Sequence, residues 1–283
     1  MVHLKNNRYI CLFIFLALLT VFCSLMSFAQ RESDGSQKPV TNSTTGGTKV
    51  NTTQMTTTTS NPKSDDDKPV IVIPKNITVC IDAGHGWADN GASSYVTDEN
   101  GSPFFEKNIN LAISKQLRDK LEAMGYTVVM IRESDDQISP AGIASDNICN
   151  IDRRVDWVNS QSDIELMISI HCDSFTNTAV SGTRIYYNTV RHKDIHILGS
   201  SIKDSLIDGQ LALNTPLLYD KSNKLWSLTA SNVPAILVEC GFITNESDLT
   251  LLTDADYQKE FGESLAFAID EYFTQIKGQS SEA

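Results

Sequence analysis

Basic charge is in short supply in this chain of 283 residues. Lys and Arg total 23 against 35 Asp and Glu, which leaves a net charge of −12. That balance repels phosphate backbones and anionic membrane surfaces, so nucleic acid is not an expected partner. Cysteine is scarce too, at six residues. Cys11 and Cys23 fall in an apolar N-terminal run, and Cys80, Cys149, Cys172 and Cys240 remain. Four cysteines in a domain this large do not make a disulfide scaffold. Cys80, Cys172 and Cys240 sit in or beside strand-like apolar runs and are expected to be buried free thiols. No internal repeat and no second module is visible.

What is present divides the chain into zones. Lys5 and Arg8 precede an almost wholly apolar stretch from Tyr9 to Ala29, which ends in Ser27-Phe28-Ala29. That layout is expected of a secretory signal peptide over residues 1–29, cleaved after Ala29. The same run is long enough to span a bilayer, so an uncleaved anchor is the alternative. Cleavage would remove two basic residues and no acid, making the remainder more acidic still. Residues 30–70 are rich in Thr, Ser, Asn, Gly and Asp and lack apolar periodicity, as expected of a disordered tether. The sequons at Asn42, Asn51, Asn76 and Asn245 are read as chance in a Thr-rich chain. Residues 71–277 are expected to form one domain with an ample core, and 278–283 a disordered tail.

Within that domain, short apolar runs alternate with amphipathic stretches. Strands are expected at Ile77 to Ile81, Tyr126 to Ile131, Leu166 to Ile170, Thr183 to Tyr187 and Ala235 to Val238, with a possible short one at Leu225 to Leu228. Helices are expected from Lys107 to Met124, closed by Gly125, and over Asp152 to Asn159, Ile195 to Ile207 and Phe261 to Ile276. The pattern implies an α/β fold, a single domain with a central, largely parallel (mixed) sheet flanked by helices on both faces.

Ligands in open α/β sheets bind beyond the carboxyl ends of the strands. Three apolar strands here run into reactive residues: the first into Asp82-Ala83-Gly84-His85-Gly86, the third into His171, the last into Glu239. Two neutral imidazoles and one carboxylate are a frequent catalytic zinc set with a fourth position left for water. Glu106, at the start of the first long helix, is the expected carboxylate, although a first-turn acid also suits the helix dipole. Asp82 is expected either to orient an imidazole or to bond the backbone amides of the glycine loop. Cys172 and Cys240 follow site residues directly, but side chains alternate along a strand, so both should point away.

These residues carry a resemblance. Val79-Cys80-Ile81-Asp82-Ala83-Gly84-His85-Gly86 followed by Gly91-Ala92, Glu106-Lys107-Asn108-Ile109-Asn110-Leu111, Ile168-Ser169-Ile170-His171-Cys172-Asp173, and Val233 to Asn245 resemble, in order, the motifs of the zinc-dependent N-acetylmuramoyl-L-alanine amidases of the type 3 family. Asp173 stands where Asn is usual, and Thr244 where Ser is usual. The resemblance implies one zinc ion held by His85, Glu106 and His171, with Glu239 as catalytic acid/base. It also takes in Arg132, Arg154 and Asn159. The stretch between Arg132 and Arg154, with Pro140, Gly142 and Cys149, is longer than the family's usual spacing. The implied substrate is peptidoglycan, cut at the amide between the lactyl group of muramic acid and L-alanine. An exported enzyme of the cell envelope, extracellular or periplasmic, is expected, monomeric and touching the membrane only through an uncleaved N-terminal segment. A zinc exopeptidase would need Arg184 or Arg153 to line the site, and a non-catalytic wall-binding module would lack a ligand or the base. The single clear helix between His171 and Glu239 leaves no spare length for a plug, so the site is expected to be open.

Overall fold

A computed structural model describes residues 72–135, 151–211, 214, 216–220 and 225–281. Cys149, Pro140 and Gly142 lie outside the described residues, as do residues 1–71. In chain order the elements are β1 (Thr78–Ala83), β2 (Ser93–Thr97), β3 (Pro103–Phe105), α1 (Glu106–Ala123), β4 (Thr127–Met130), α2 (Ile151–Ser160), β5 (Ile164–Asp173), β6 (Arg184–Tyr187), α3 (Ile195–Asp208), β7 (Leu217–Asp220), α4 (Trp226–Ala230), β8 (Ala235–Phe242), α5 (Glu246–Leu252) and α6 (Ala255–Ser281).

The apolar runs pair into a six-stranded sheet in the order β4-β1-β5-β8-β6-β7, and β2 pairs with β3 as a separate hairpin. β4, β1, β5 and β8 are parallel, while β6 runs against β8 and carries β7 parallel to itself. The sheet is therefore mixed and mostly parallel. The central strands are apolar on both faces because helices cover both. On one face Val79, Ile81, Ile168, Ile170, Val238 and Cys240 pack with residues of α1, α3 and α6. On the other, Cys80, Met167, Ala235 and Leu237 pack with Val158 of α2 and Leu228 of α4.

This two-faced core decides where the reactive side chains point. Alternation puts Ile170, Cys172, Val238 and Cys240 on the face of α1 and α6, and Ser169, His171, Asp173 and Glu239 on the face of α2 and α4. Cys172 and Cys240 are buried free thiols in the first core, as is Cys80 in the second. Desolvation drives all three thiols well above their usual range, so they are packing groups.

Several expectations are corrected. Leu225 to Leu228 is not a strand: Leu225 caps the short helix α4, and the i, i+3 spacing lets Leu225 and Leu228 face the same core cluster. His171 and Glu239 do not end their strands, because β5 runs on to Asp173 and β8 to Phe242, which pair beyond a register shift. The final helix starts at Ala255, where the Asp254 carboxylate accepts from the Tyr257 N–H at 2.8 Å, an N-cap that periodicity alone did not disclose. It also continues to Ser281, through most of the tail expected to be disordered, since no proline follows Lys277 and the one glycine, Gly278, costs only about 1 kcal/mol in a helix already nucleated. Asn245, whose sequon is read as chance, caps α5 by accepting from the Asp248 N–H. No helix among the described residues is long and apolar enough to cross a membrane.

Candidate metal centre

The site is assembled at the carboxyl ends of β1 and β5 and at the first turn of α1. After β1 the chain turns back within a few residues. His85, Gly86 and Trp87 all have positive φ, and Gly86 and Asp89 exchange backbone hydrogen bonds of 2.9 and 3.0 Å. A non-glycine residue in that region is strained by about 1–2 kcal/mol, a cost met where the backbone must aim a side chain. Here it aims the His85 ring at α1 and brings Asp89 under it: His85 Nδ1 lies 2.8 Å from Asp89 Oδ2.

Two glycines make the close approach possible. A Cβ on Gly84 would stand 2.2 Å from His171 Cε1, so only glycine lets that imidazole lie across the loop. A Cβ on Gly91 would stand 2.5 Å from Glu106 Oε2 and 2.6 Å from His85 Cδ2, and its φ of +65° is itself a glycine conformation.

Glu106 is only 3% exposed. His85 Nε2 is 3.2 Å from its Oε2, and His171 Nδ1 is 3.0 Å from its Oε1. The N–H groups of Ala92 and Cys172 donate to the same two oxygens, at 2.7 and 3.1 Å, and Asn110 Nδ2 donates to Oε1 at 3.2 Å. One ligand atom from each of His85, Glu106 and His171 can be chosen so that all lie within 4.8 Å of one another. The three residues named from the sequence thus converge, and Glu106 is more than a helix-dipole acid.

The electrostatics are those of a cation site. Burial lowers the pKa of His85, but hydrogen bonding and charge from Glu106, then from Asp89, outweigh it and raise it to about 9. Burial raises that of Glu106, but hydrogen bonds and charge from His171 and His85 outweigh it and hold the carboxyl well below its usual range. Two nitrogens and one carboxylate oxygen fit a borderline dication such as zinc. Asp89 on Nδ1 fixes Nε2 as the inward nitrogen of His85.

Asp89 was missed in the sequence. Its only signal was a carboxylate four residues after a histidine in a glycine-rich loop. Asp82 does neither of the things expected of it. It is 0% exposed, pairs with Arg154 at 2.5 Å and accepts from Ser169 Oγ at 2.8 Å. Desolvation pushes its pKa up, yet Arg154, then His171 and Ser169, bring it below its usual value. Arg154 also donates to the carbonyls of Ala83 and His85, and Arg132 donates to those of Ala83, Gly84 and Lys107. The two arginines staple the loop that carries His85. Asn159 links Ala230 O to Asn232 N–H, tying α2 to the turn before β8. Replacing Arg154 with Met should cost about 3–5 kcal/mol of stability by leaving Asp82 buried and unpaired. Denaturant unfolding measures it, and a loss under about 1 kcal/mol would contradict the pairing.

Glu239 stands opposite His171 in the β5–β8 register and opposite Arg184 in β6–β8. All three project from the face of α2 and α4. Arg184 donates to Asp173 Oδ2 at 2.7 Å and lies 4.5 Å over the Phe242 ring, while Arg153 is exposed on α2. Oε2 of Glu239 is buried without a hydrogen-bond partner. Desolvation is the main cause that raises its pKa to about 7, with His171 opposing and Asp173 and Glu106 adding.

This geometry has relatives. A family model described as N-acetylmuramoyl-L-alanine amidase matches residues 79–271. The chain belongs to that family. Among curated relatives, the Bacillus subtilis protein YqiI is 33% identical over 199 residues, 70% of this chain and 85% of that one. The germination-specific N-acetylmuramoyl-L-alanine amidase of the same organism is 30% identical, covering 72% of this chain and 82% of that one. Among solved structures, the CwlD amidase of Clostridioides difficile, in complex with the GerS lipoprotein, superposes with a TM-score of 0.60 at 28% identity. The match covers 70% of this chain and 99% of that one.

Proposed function

We propose that this amidase hydrolyses the amide between the lactyl group of muramic acid and L-alanine of peptidoglycan, with one zinc ion on His85, Glu106 and His171 and with Glu239 as proton shuttle. The observation that carries the assignment is the unpartnered Oε2 of Glu239, buried beside His171. A buried carboxylate oxygen with no donor is costly in a purely structural role and useful in a site that handles protons. When bound, the zinc ion supplies Lewis acidity, polarising a carbonyl and lowering the pKa of water to about 7. Glu239 takes the proton from the attacking water and returns it to the departing amine of L-alanine. Glu106 stays ionised, because its surroundings hold its pKa low, and so serves as ligand and not as base. Asp89 holds His85 in one tautomer, and Arg132 and Arg154 keep the loop beneath it from shifting.

The same reading makes the chain an exported, monomeric enzyme of the cell envelope, with residues 1–29 as signal and 30–70 as tether. Purified protein incubated with cell wall should release free stem peptide, detected by mass spectrometry. Trimmed peptide still attached to sugar would favour an exopeptidase instead. The pH profile has a definite sign. Glu239 works deprotonated, so kcat/KM should fall as pH drops through an apparent pKa at or below about 7, the cation pulling it lower than in the metal-free protein. That acid limb should vanish in Glu239→Gln, and an unchanged limb would assign it to another group.

A further inference from the structure

A groove runs along the β2–β3 hairpin, near the segments that position Glu106. Two cavities of about 310 Å³ each lie between the hairpin and the segments that follow β5 and β8, and they share Tyr95 and Thr244. One is lined by Ala92, whose N–H donates to Glu106 Oε2, and by Ser174, two residues beyond Cys172, whose N–H donates to Glu106 Oε1. The groove therefore borders backbone that hydrogen-bonds the Glu106 carboxylate, although His85, Glu106, His171 and Glu239 themselves do not line it. By contrast, the cavity bordered by His85 and His171 themselves is only about 80 Å³.

The lining has a distinct chemistry. Tyr95 is 64% exposed and Phe175 51% exposed, so two large rings stand at the groove with most of one face in water. Around them are the exposed hydroxyls of Ser93, Thr176, Thr178 and Ser247, while the polar side-chain atoms of Thr244 and Asn245 are taken up by hydrogen bonds to Phe175, Thr178 and Asp248. No Lys or Arg lines either cavity, and the one charged group is the acid Glu246. An ionised stem peptide would meet no cation here and one carboxylate. A sugar chain fits better: pyranose rings offer C–H faces to aromatic rings, and their hydroxyl and acetamido groups exchange hydrogen bonds with hydroxyls and amides.

We propose that this groove binds the glycan strand, holding sugars beyond the muramic acid whose lactyl amide is cut, with Tyr95 and Phe175 as stacking surfaces. The proposal rests on the amidase reading of the adjoining centre, and the groove sets the preference for long glycan over isolated muropeptide. The substrate's polymer then supplies binding energy remote from the reacting bond.

The test compares two substrates with the same peptide, one on a single muramic acid and one on a tetrasaccharide. With zinc-loaded full-length protein, kcat/KM should rise about 10-fold with the longer glycan, as expected of two ring contacts. In Tyr95→Ala/Phe175→Ala that ratio should collapse toward about 1. A ratio that survives in the double variant, or a loss that follows peptide length, overturns the proposal. An equal loss on both substrates also overturns it, since it would mark a structural role. A second measurement is independent of catalysis. A peptide-free glycan oligomer should bind the chelated, metal-free protein in calorimetry and should not bind the double variant. Binding there with no amidase activity would sink the reading of the metal centre and spare the groove. Activity with no glycan binding would do the reverse.

Discussion

Glu239→Gln should lower turnover on cell wall by at least 10²-fold, within the range of about 10²–10⁴ typical of general acid–base catalysis, while still binding one zinc per chain. Glutamine keeps the size of the side chain and its capacity for hydrogen bonds but has no basic oxygen. The strand position is held by β5 on one side and β6 on the other, so the fold should survive. Glu106→Gln should behave differently. Glu106 faces both imidazoles, and a neutral amide there both weakens a ligand and removes the charge that balances the cation, so metal content should fall first. Zinc content and turnover of both variants, measured on the same wall preparation, separate the two roles. If Glu239→Gln loses zinc and Glu106→Gln keeps it, the two glutamates have been assigned the wrong way round. Near-normal turnover in Glu239→Gln would leave its buried oxygen without a catalytic explanation.

Removing the metal should abolish activity altogether, and zinc should restore it. His85→Ala and His171→Ala should each fail to hold one equivalent, because two remaining ligands do not make a closed set. The structure adds a second readout to this experiment. In the metal-free protein Glu106 and Asp89 raise His85 to about 9, so at neutral pH that ring carries a proton which a cation must displace. Zinc binding should therefore release close to one proton from this group near pH 7, and affinity should weaken as pH falls. Calorimetry in buffers of different ionisation enthalpy measures the release. Full activity after chelation would end the metal reading, and zinc uptake without proton release would show that the His85–Asp89–Glu106 cluster is not where the ion sits.

Much of this site was legible before any fold was known. His85 and Glu106 sit where a run of one period gives way to another, a strand into a glycine loop and a loop into a helix, whereas His171 and Glu239 interrupt apolar strands that run on to Asp173 and Phe242. Such boundaries are local events, and local patterning reads them. The hairpin β2–β3, strand β7 and helix α5 were not anticipated, being short segments of three to seven residues. Elements of that length hold few turns of any period, so their identity comes from what they pack against.

The remaining difference is one of range along the chain. The sequence by itself determined the fold class and the strands that form the sheet's centre, since apolar periodicity needs only neighbours within a few positions, and its motifs singled out His85, Glu106, His171 and Glu239 through their resemblance to the amidase family. Tertiary structure alone decided the rest. Asp82 meets Arg154 across 72 positions, and Arg132 meets the carbonyls of Ala83 and Gly84 across 49 and 48. Asp89 reaches the outer nitrogen of His85 only because three residues turn back at positive φ, and Oε2 of Glu239 is left without a donor only because its flanking strands close around it. Hydrogen bonds and desolvation depend on atoms brought within a few ångströms by the packed sheet, and no pattern of residue types along the chain encodes which distant groups those will be.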